Sequence, residues 1–309
     1  MIPSPSNEPV EPRWAKVLVG FTAVLSFLGL SWYLYQNAIF LRSTDVKEVS
    51  QENEVMLQNE DTLEYRDFRI VRRERSTPRG GTHSYGVDIF KNGKLTYRHP
   101  KTVEQKEFCE MGLASLLGDH TQQLILQQFT GGSDCCWNSW VLELGDSLRT
   151  LYRSEDFPEI GHEIDFADFD GDGQLEIAQP IVLFNSFDRI DYSQSPFPPA
   201  YFQYSAPTRR FIPANKAYSA LFLKRAEELA IQVMEFAESG KWRSDGDANG
   251  QYLALVLAGT LEYVFAGHED QGWALFERWY ILPDRDTLRG KIQTVLESSK
   301  LYRSLNDAG

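Results

Sequence analysis

Asp168-Phe169-Asp170-Gly171-Asp172-Gly173-Gln174-Leu175-Glu176 sets four carboxylates at alternating or near-alternating positions around two glycines. Calcium is a hard cation that takes six to eight oxygen ligands at roughly 2.3–2.6 Å, so a short segment can wrap it only by turning tightly while presenting many oxygens. Asp168, Asp170 and Asp172 would supply side chains at loop positions one, three and five, Gln174 its backbone carbonyl, and Glu176 the last carboxylate. Gly171 and Gly173 permit the positive φ of such a turn. An EF-hand starts with the same D-x-D-x-D-G but needs an acidic residue at position twelve, where Gln179 stands. The flanks 163–166 and 175–184 are rich in Ile, Val, Leu and Phe without helical periodicity, so the loop is expected to join two strands. The alternative is an acidic turn that binds nothing. Against it, five carboxylates counting Asp165 would repel one another, a cost that a dication removes.

The run 118–125 (GDHTQQLI) aligns without gaps on 171–178 (GDGQLEIA). It reads as a decayed copy, with Ser115 and Leu117 where Asp168 and Asp170 stand and Gln123 in place of Glu176. The first copy would keep the turn and lose the metal. A Gly-Asp turn before a strand can also align so by chance; if not, the spacing of roughly fifty residues suits a repeated β-meander.

The 309 residues, 42% hydrophobic and 13% aromatic, suffice for a substantial core. A formal net charge of −13 argues against nucleic acid or an anionic membrane surface as the main partner, because both demand clustered Lys and Arg. Residues 17–41 carry no charge, and 17–35 are nearly all apolar or aromatic, long enough as a helix to cross a hydrocarbon core of about 30 Å. Trp14 and the group Trp32, Tyr33 and Tyr35 mark the two ends. A single N-terminal transmembrane helix is therefore expected rather than a cleaved signal peptide, whose cut would need small residues where the bulky run 31–37 stands. Arg13 and Lys16 on one side balance Arg42 and Lys47 on the other, which leaves the positive-inside rule nearly silent. A carboxylate loop without the bidentate twelfth residue should bind calcium weakly, which suits a compartment rich in the ion. On that ground 1–16 is read as a disordered cytoplasmic tail, 17–41 as the membrane anchor and 42–62 as a polar linker, with everything beyond on the extracytoplasmic, periplasmic side.

The expected fold class is α+β. Roughly ten strands over 63–213, with a hairpin at Asn92-Gly93, point to an open or incomplete propeller-like antiparallel β-meander, a small β-sandwich being the alternative. Over 214–305 the period changes to 3.6: Phe222, Ala226, Leu229, Val233 and Ala237 share a face, Gly240 ends that helix, and Gly267 ends a second over 252–266. Helices over 269–280 and from Asp284 or Asp286 onward complete a small bundle of four. Asp245-Gly246-Asp247-Ala248-Asn249-Gly250 lacks a distal carboxylate and reads as a solvated loop between helices.

The stretch 165–182, DFADFDGDGQLEIAQPIV, resembles the calcium loop of FG-GAP or VCBS-type repeats, found in integrin-like propellers and many exported bacterial proteins. With the NGK turn, the GGSDCC segment at 131–136 and the helical tail, the resemblance extends to uncharacterised exported bacterial proteins and covers most of 63–302. It implies an architecture and a calcium site without implying a reaction. Asp134 departs from the GGxHCC form expected there, which puts any role of that histidine in doubt.

Three cysteines leave one unpaired if a disulfide forms. Cys109 could pair with Cys135 or Cys136, the adjacent Cys135 and Cys136 could close a vicinal ring, or all three could stay reduced. The five histidines show no zinc spacing, and Gly131-Gly132 lacks the Lys and helix of a phosphate loop. The resulting reading is a membrane-anchored, calcium-stabilised interaction module with an unknown protein partner. Phe187, Tyr192, Phe197 and Tyr201, in a long aromatic connection, are its candidate contacts, with a core lid as the plain alternative. An accessory subunit of a membrane complex, or a thiol oxidoreductase using Cys135 and Cys136, are the rivals.

Overall fold

The computed structural model describes residues 62–76, 83–99, 108–129, 137–243 and 246–307. Among them are twelve strands and five α-helices. The strands begin with β1 (Thr62–Tyr65), β2 (Phe68–Ser76), β3 (His83–Lys91) and β4 (Lys94–His99), which form one antiparallel sheet in chain order. Asn92 and Gly93 join β3 to β4 at φ of 49° and 76°, the positive values that a two-residue hairpin turn needs to match strand twist. The second sheet is β5 (Phe108–Ala114), β6 (Gln123–Phe129), β7 (Trp137–Leu144) and β8 (Leu148–Arg153). The third is β9 (Asp165–Ala167), β10 (Glu176–Pro180), β11 (Pro199–Ser205) and β12 (Arg210–Pro213).

This corrects the expected fold class. In place of one open or incomplete propeller-like meander, the strands divide into three separate four-stranded antiparallel sheets. Two strands were hidden from the sequence pattern. Arg66 at φ 54° turns the chain between β1 and β2 without a glycine, and β5 interrupts its apolar run with Glu110 and Gly112.

The second sheet is buried on both faces, and β6 is buried along nearly its whole length. Period-two alternation sends Leu124 and Leu126, with Trp140, Leu142 and Leu144 of β7, toward Phe68, Ile70, Val87 and Ile89 of the first sheet. Ile125 and Val141 point the other way, into a larger core that runs through the third sheet and the helices. Each such fully buried Leu, Ile or Val contributes about 1.5–3 kcal/mol relative to exposure.

The helices are α1 (Ser219–Ser239), α2 (Gly246–Phe265), α3 (Glu269–Trp279), α4 (Arg285–Ser298) and α5 (Lys300–Asp307). Phe222, Ala226 and Val233 are the buried stripe of α1, and Gly240 stops it at φ 66°. Gly267, at φ 85°, follows α2. The bundle of four becomes five because Ser299, at ψ 128°, breaks the last helical run where no glycine or proline announces it. Residues 246–250 are the first turns of α2 and not a loop, and Gly250 lies so close to the Arg189 carbonyl that a Cβ would sit 2.5 Å from it.

No helix among the described residues is long and apolar enough to cross a membrane. The apolar stretch 17–41 expected to do so, the tail and all but the last residue of the linker lie outside the described residues, as do Cys135, Cys136 and Asp134.

Candidate metal centre

The turn between β9 and β10 carries the acidic motif. Within the bend Phe169 turns its ring toward the core: it meets Tyr201 edge-on at 4.9 Å and Tyr218 at 6.0 Å. Gly171 at φ 80° and Gly173 at φ 88° complete the bend. Asp168 organises it: Oδ1 accepts the amides of Gly171 at 2.6 Å and Asp172 at 3.1 Å, and Oδ2 accepts that of Gly173 at 3.0 Å. One side chain thereby accepts three amides of the turn, that of Asp172 being shared with Asp170 Oδ1 at 3.1 Å.

Ligand atoms of Asp168, Asp170 and Glu176 all lie within 4.8 Å of one another. Opposed oxygens around one calcium stand about 4.6–5.2 Å apart, twice the usual bond length, so the three suit a single hard cation. Asp172, the other expected carboxylate, is not one of these three, and it is engaged with Gln174. Its Oδ1 accepts the Gln174 amide at 2.7 Å and its Oδ2 the Gln174 side-chain amide at 3.1 Å. Gln203 of β11, which the sequence pattern did not single out, donates to Asp170 Oδ2 at 3.2 Å.

Glu176 is 1% exposed, and its Oε2 accepts the Phe169 amide at 2.8 Å. Burial pushes its carboxyl up to about 7; the Phe169 amide opposes this, and the charges of Asp170, Asp172 and Asp168 add to it. Tyr218, also missed in the sequence, faces Glu176 from the residue before α1. Tyr218 is 4% exposed, and its hydroxyl lies beside the Glu176 carboxylate without a hydrogen bond of ordinary length and angle among the described residues.

The turn between β5 and β6 reproduces this geometry in part. Gly118 and His120 have φ of 67° and 60°, at the places aligned with Gly171 and Gly173. Asp119 accepts the Thr121 amide at 3.0 Å, as Asp172 accepts that of Gln174. The two turns touch: Leu175 donates its amide to the Leu116 carbonyl at 2.7 Å, and a Cβ on Gly118 would stand 2.8 Å from the Gly173 carbonyl oxygen. Ser115 and Leu117 supply no carboxylate to the first turn, so only the second gathers three.

The other expected site residues are scattered. Cys109 lies in β5 opposite Gln128, while its two candidate partners fall outside the described residues. Tyr201 is 3% exposed, inside the core and not on a contact surface, and its hydroxyl accepts a hydrogen bond from Arg225 at 3.2 Å. Phe187 is half-buried against Phe184, and Tyr192 and Phe197 are half-buried beside His162. Their connection is fastened to the bundle, where Asp188 accepts from Lys291 at 2.6 Å and Arg189 pairs with Asp284.

No protein-family model, curated protein or solved structure matches the chain. The reading of its chemistry rests on the geometry.

Proposed function

We propose that the protein is a calcium-stabilised binding module, attached to a membrane through the uncharged stretch 17–41 and folded on the extracytoplasmic side. The observation that carries the metal reading is the convergence of oxygens from Asp168, Asp170 and Glu176 within 4.8 Å in one turn. All three donors are carboxylates, the ligand type a hard cation prefers to sulfur or imidazole. Glu176 supports the reading in a second way. A buried carboxylate beside other carboxylates is costly when ionised, and a dication turns that cost into attraction. The half-buried rings of Phe187, Tyr192 and Phe197 offer an aromatic patch for a protein partner.

The test is thermal unfolding and calorimetry of the full chain in mild detergent. Millimolar calcium should raise the melting temperature over that in excess chelator, and titration should show one bound ion per chain. Coincident melting curves with no heat of binding would end the proposal.

A further inference from the structure

The hydroxyl of Tyr218 is a buried donor that approaches the Glu176 carboxylate without reaching hydrogen-bonding geometry, and the proposed cation would need that carboxylate in its charged form. Such a group costs free energy where it stands unless another state of the site uses it. Its ring packs against two aromatic neighbours, Tyr201 at 5.1 Å and Phe169 at 6.0 Å, and Tyr201 is in turn backed by Phe222 at 5.5 Å. Packing therefore fixes where the hydroxyl points. Glu176 Oε2 already accepts the Phe169 amide, which leaves the carboxylate with further lone pairs to fill.

Tyr218 also sits at a junction in the chain. It closes the 3-10 turn Asn215–Tyr218 and immediately precedes α1. The same turn is tied to β11, since Asn215 Oδ1 accepts the Tyr201 amide at 2.7 Å and the Ala214 amide donates to the Tyr201 carbonyl at 2.8 Å. A new bond at the hydroxyl would thus join the acidic turn directly to the start of the helical layer.

The geometry points to Tyr218 as a positioning residue of the cation site: its hydroxyl donates to the Glu176 carboxylate when a cation is bound, orienting that ligand and clamping the acidic turn to the first turn of α1. This rests on the calcium reading of the turn. A hydrogen bond from a neutral donor to a charged acceptor is among the stronger ones in proteins, and here it forms in a water-poor place. It makes cation binding and the order of the helical layer parts of one equilibrium.

Tyr218→Phe keeps the ring and removes only the hydroxyl. Calcium is titrated into the full chain and into Y218F by calorimetry, with melting curves in chelator and in calcium. The expected result is a dissociation constant about tenfold weaker in the variant, equivalent to about 1.4 kcal/mol. Its calcium-dependent rise in melting temperature should shrink, while melting in chelator stays at or above the wild-type temperature because the buried hydroxyl makes no well-aligned bond there. Equal affinity and an equal rise would overturn the role of Tyr218 and leave the calcium site standing. Absence of binding by the wild type would overturn both. If Y218F is unstable even in chelator, amide exchange of the wild type decides. Calcium-dependent protection of residues 219–222 supports the clamp, and unchanged exchange there overturns it.

Discussion

Gln123 does for the turn between β5 and β6 what Glu176 does for the turn between β9 and β10. Gln123 Oε1 accepts the Leu116 amide at 2.7 Å, and Glu176 Oε2 accepts the Phe169 amide at 2.8 Å, each from the residue seven places before it. An uncharged amide therefore suffices to hold this bend. Charge at the second position is not needed for the bend, and the cation proposed above would give it a purpose.

Glu176→Gln separates the two. The amide oxygen should keep the Phe169 bond, and the variant loses a buried carboxyl that neighbouring acids and burial disfavour in its charged form. In chelator it should melt at or above the wild-type temperature. In millimolar calcium it should show no rise, and paired melting curves check both outcomes.

Gly118→Ala tests the contact between the turns. The residue holds φ at 67°, and the new Cβ would stand 2.8 Å from a backbone oxygen of Gly173, which cannot swing aside as a long side chain would. The strain should lower stability by about 1–3 kcal/mol in urea unfolding. Calcium affinity should fall with it, although residue 118 carries no ligand.

His99 gives the molecule an acid limit. Burial lowers its pKa to about 4 from 6.5, a hydrogen bond with Gln128 opposing. The imidazole stays neutral in the fold while the unfolded chain binds a proton. Its contribution is thus complete above about pH 6.5 and is lost as the pH falls through about 4. The loss amounts to about 3 kcal/mol at 1.36 kcal/mol per unit. The wild type should lose more urea stability between pH 7 and pH 4 than His99→Gln, by about that difference.

Arg225 and Glu262 form an ion pair between α1 and α2, at 3.0 Å, with Glu262 8% exposed at its side chain. Arg225→Met alone leaves a buried carboxylate unpaired and should cost about 3–5 kcal/mol in urea unfolding. Adding Glu262→Gln should recover part of that loss, because it removes the stranded charge.

The sequence was most legible where one local rule acts alone. The helical stripe of Phe222, Ala226 and Val233 and the stops at Gly240 and Gly267 follow from period and positive φ, and the fold has them there. The acidic run could be placed in a turn between strands because its glycines and flanking apolar residues say so. What failed depends on partners distant in the chain. Nothing local divides twelve strands into three sheets, and a turn made by Arg66 looks like continuing strand. The burial of Tyr201 depends on Tyr218, Phe222 and Arg225, and the fastening of the aromatic connection depends on Asp284 and Lys291. Tyr218 carried no sequence signal, since its relation to Glu176 exists only once α1 lies against the third sheet.

Strand β6 is a party wall between two cores, with Leu124 and Leu126 on one side and Ile125 on the other. Inserting or deleting a single residue within it would exchange the contents of both compartments at once, because every later side chain would change faces. β6 has no exposed face, so a change of chain length within it would disturb two cores, and its length matters as much as the identity of its residues.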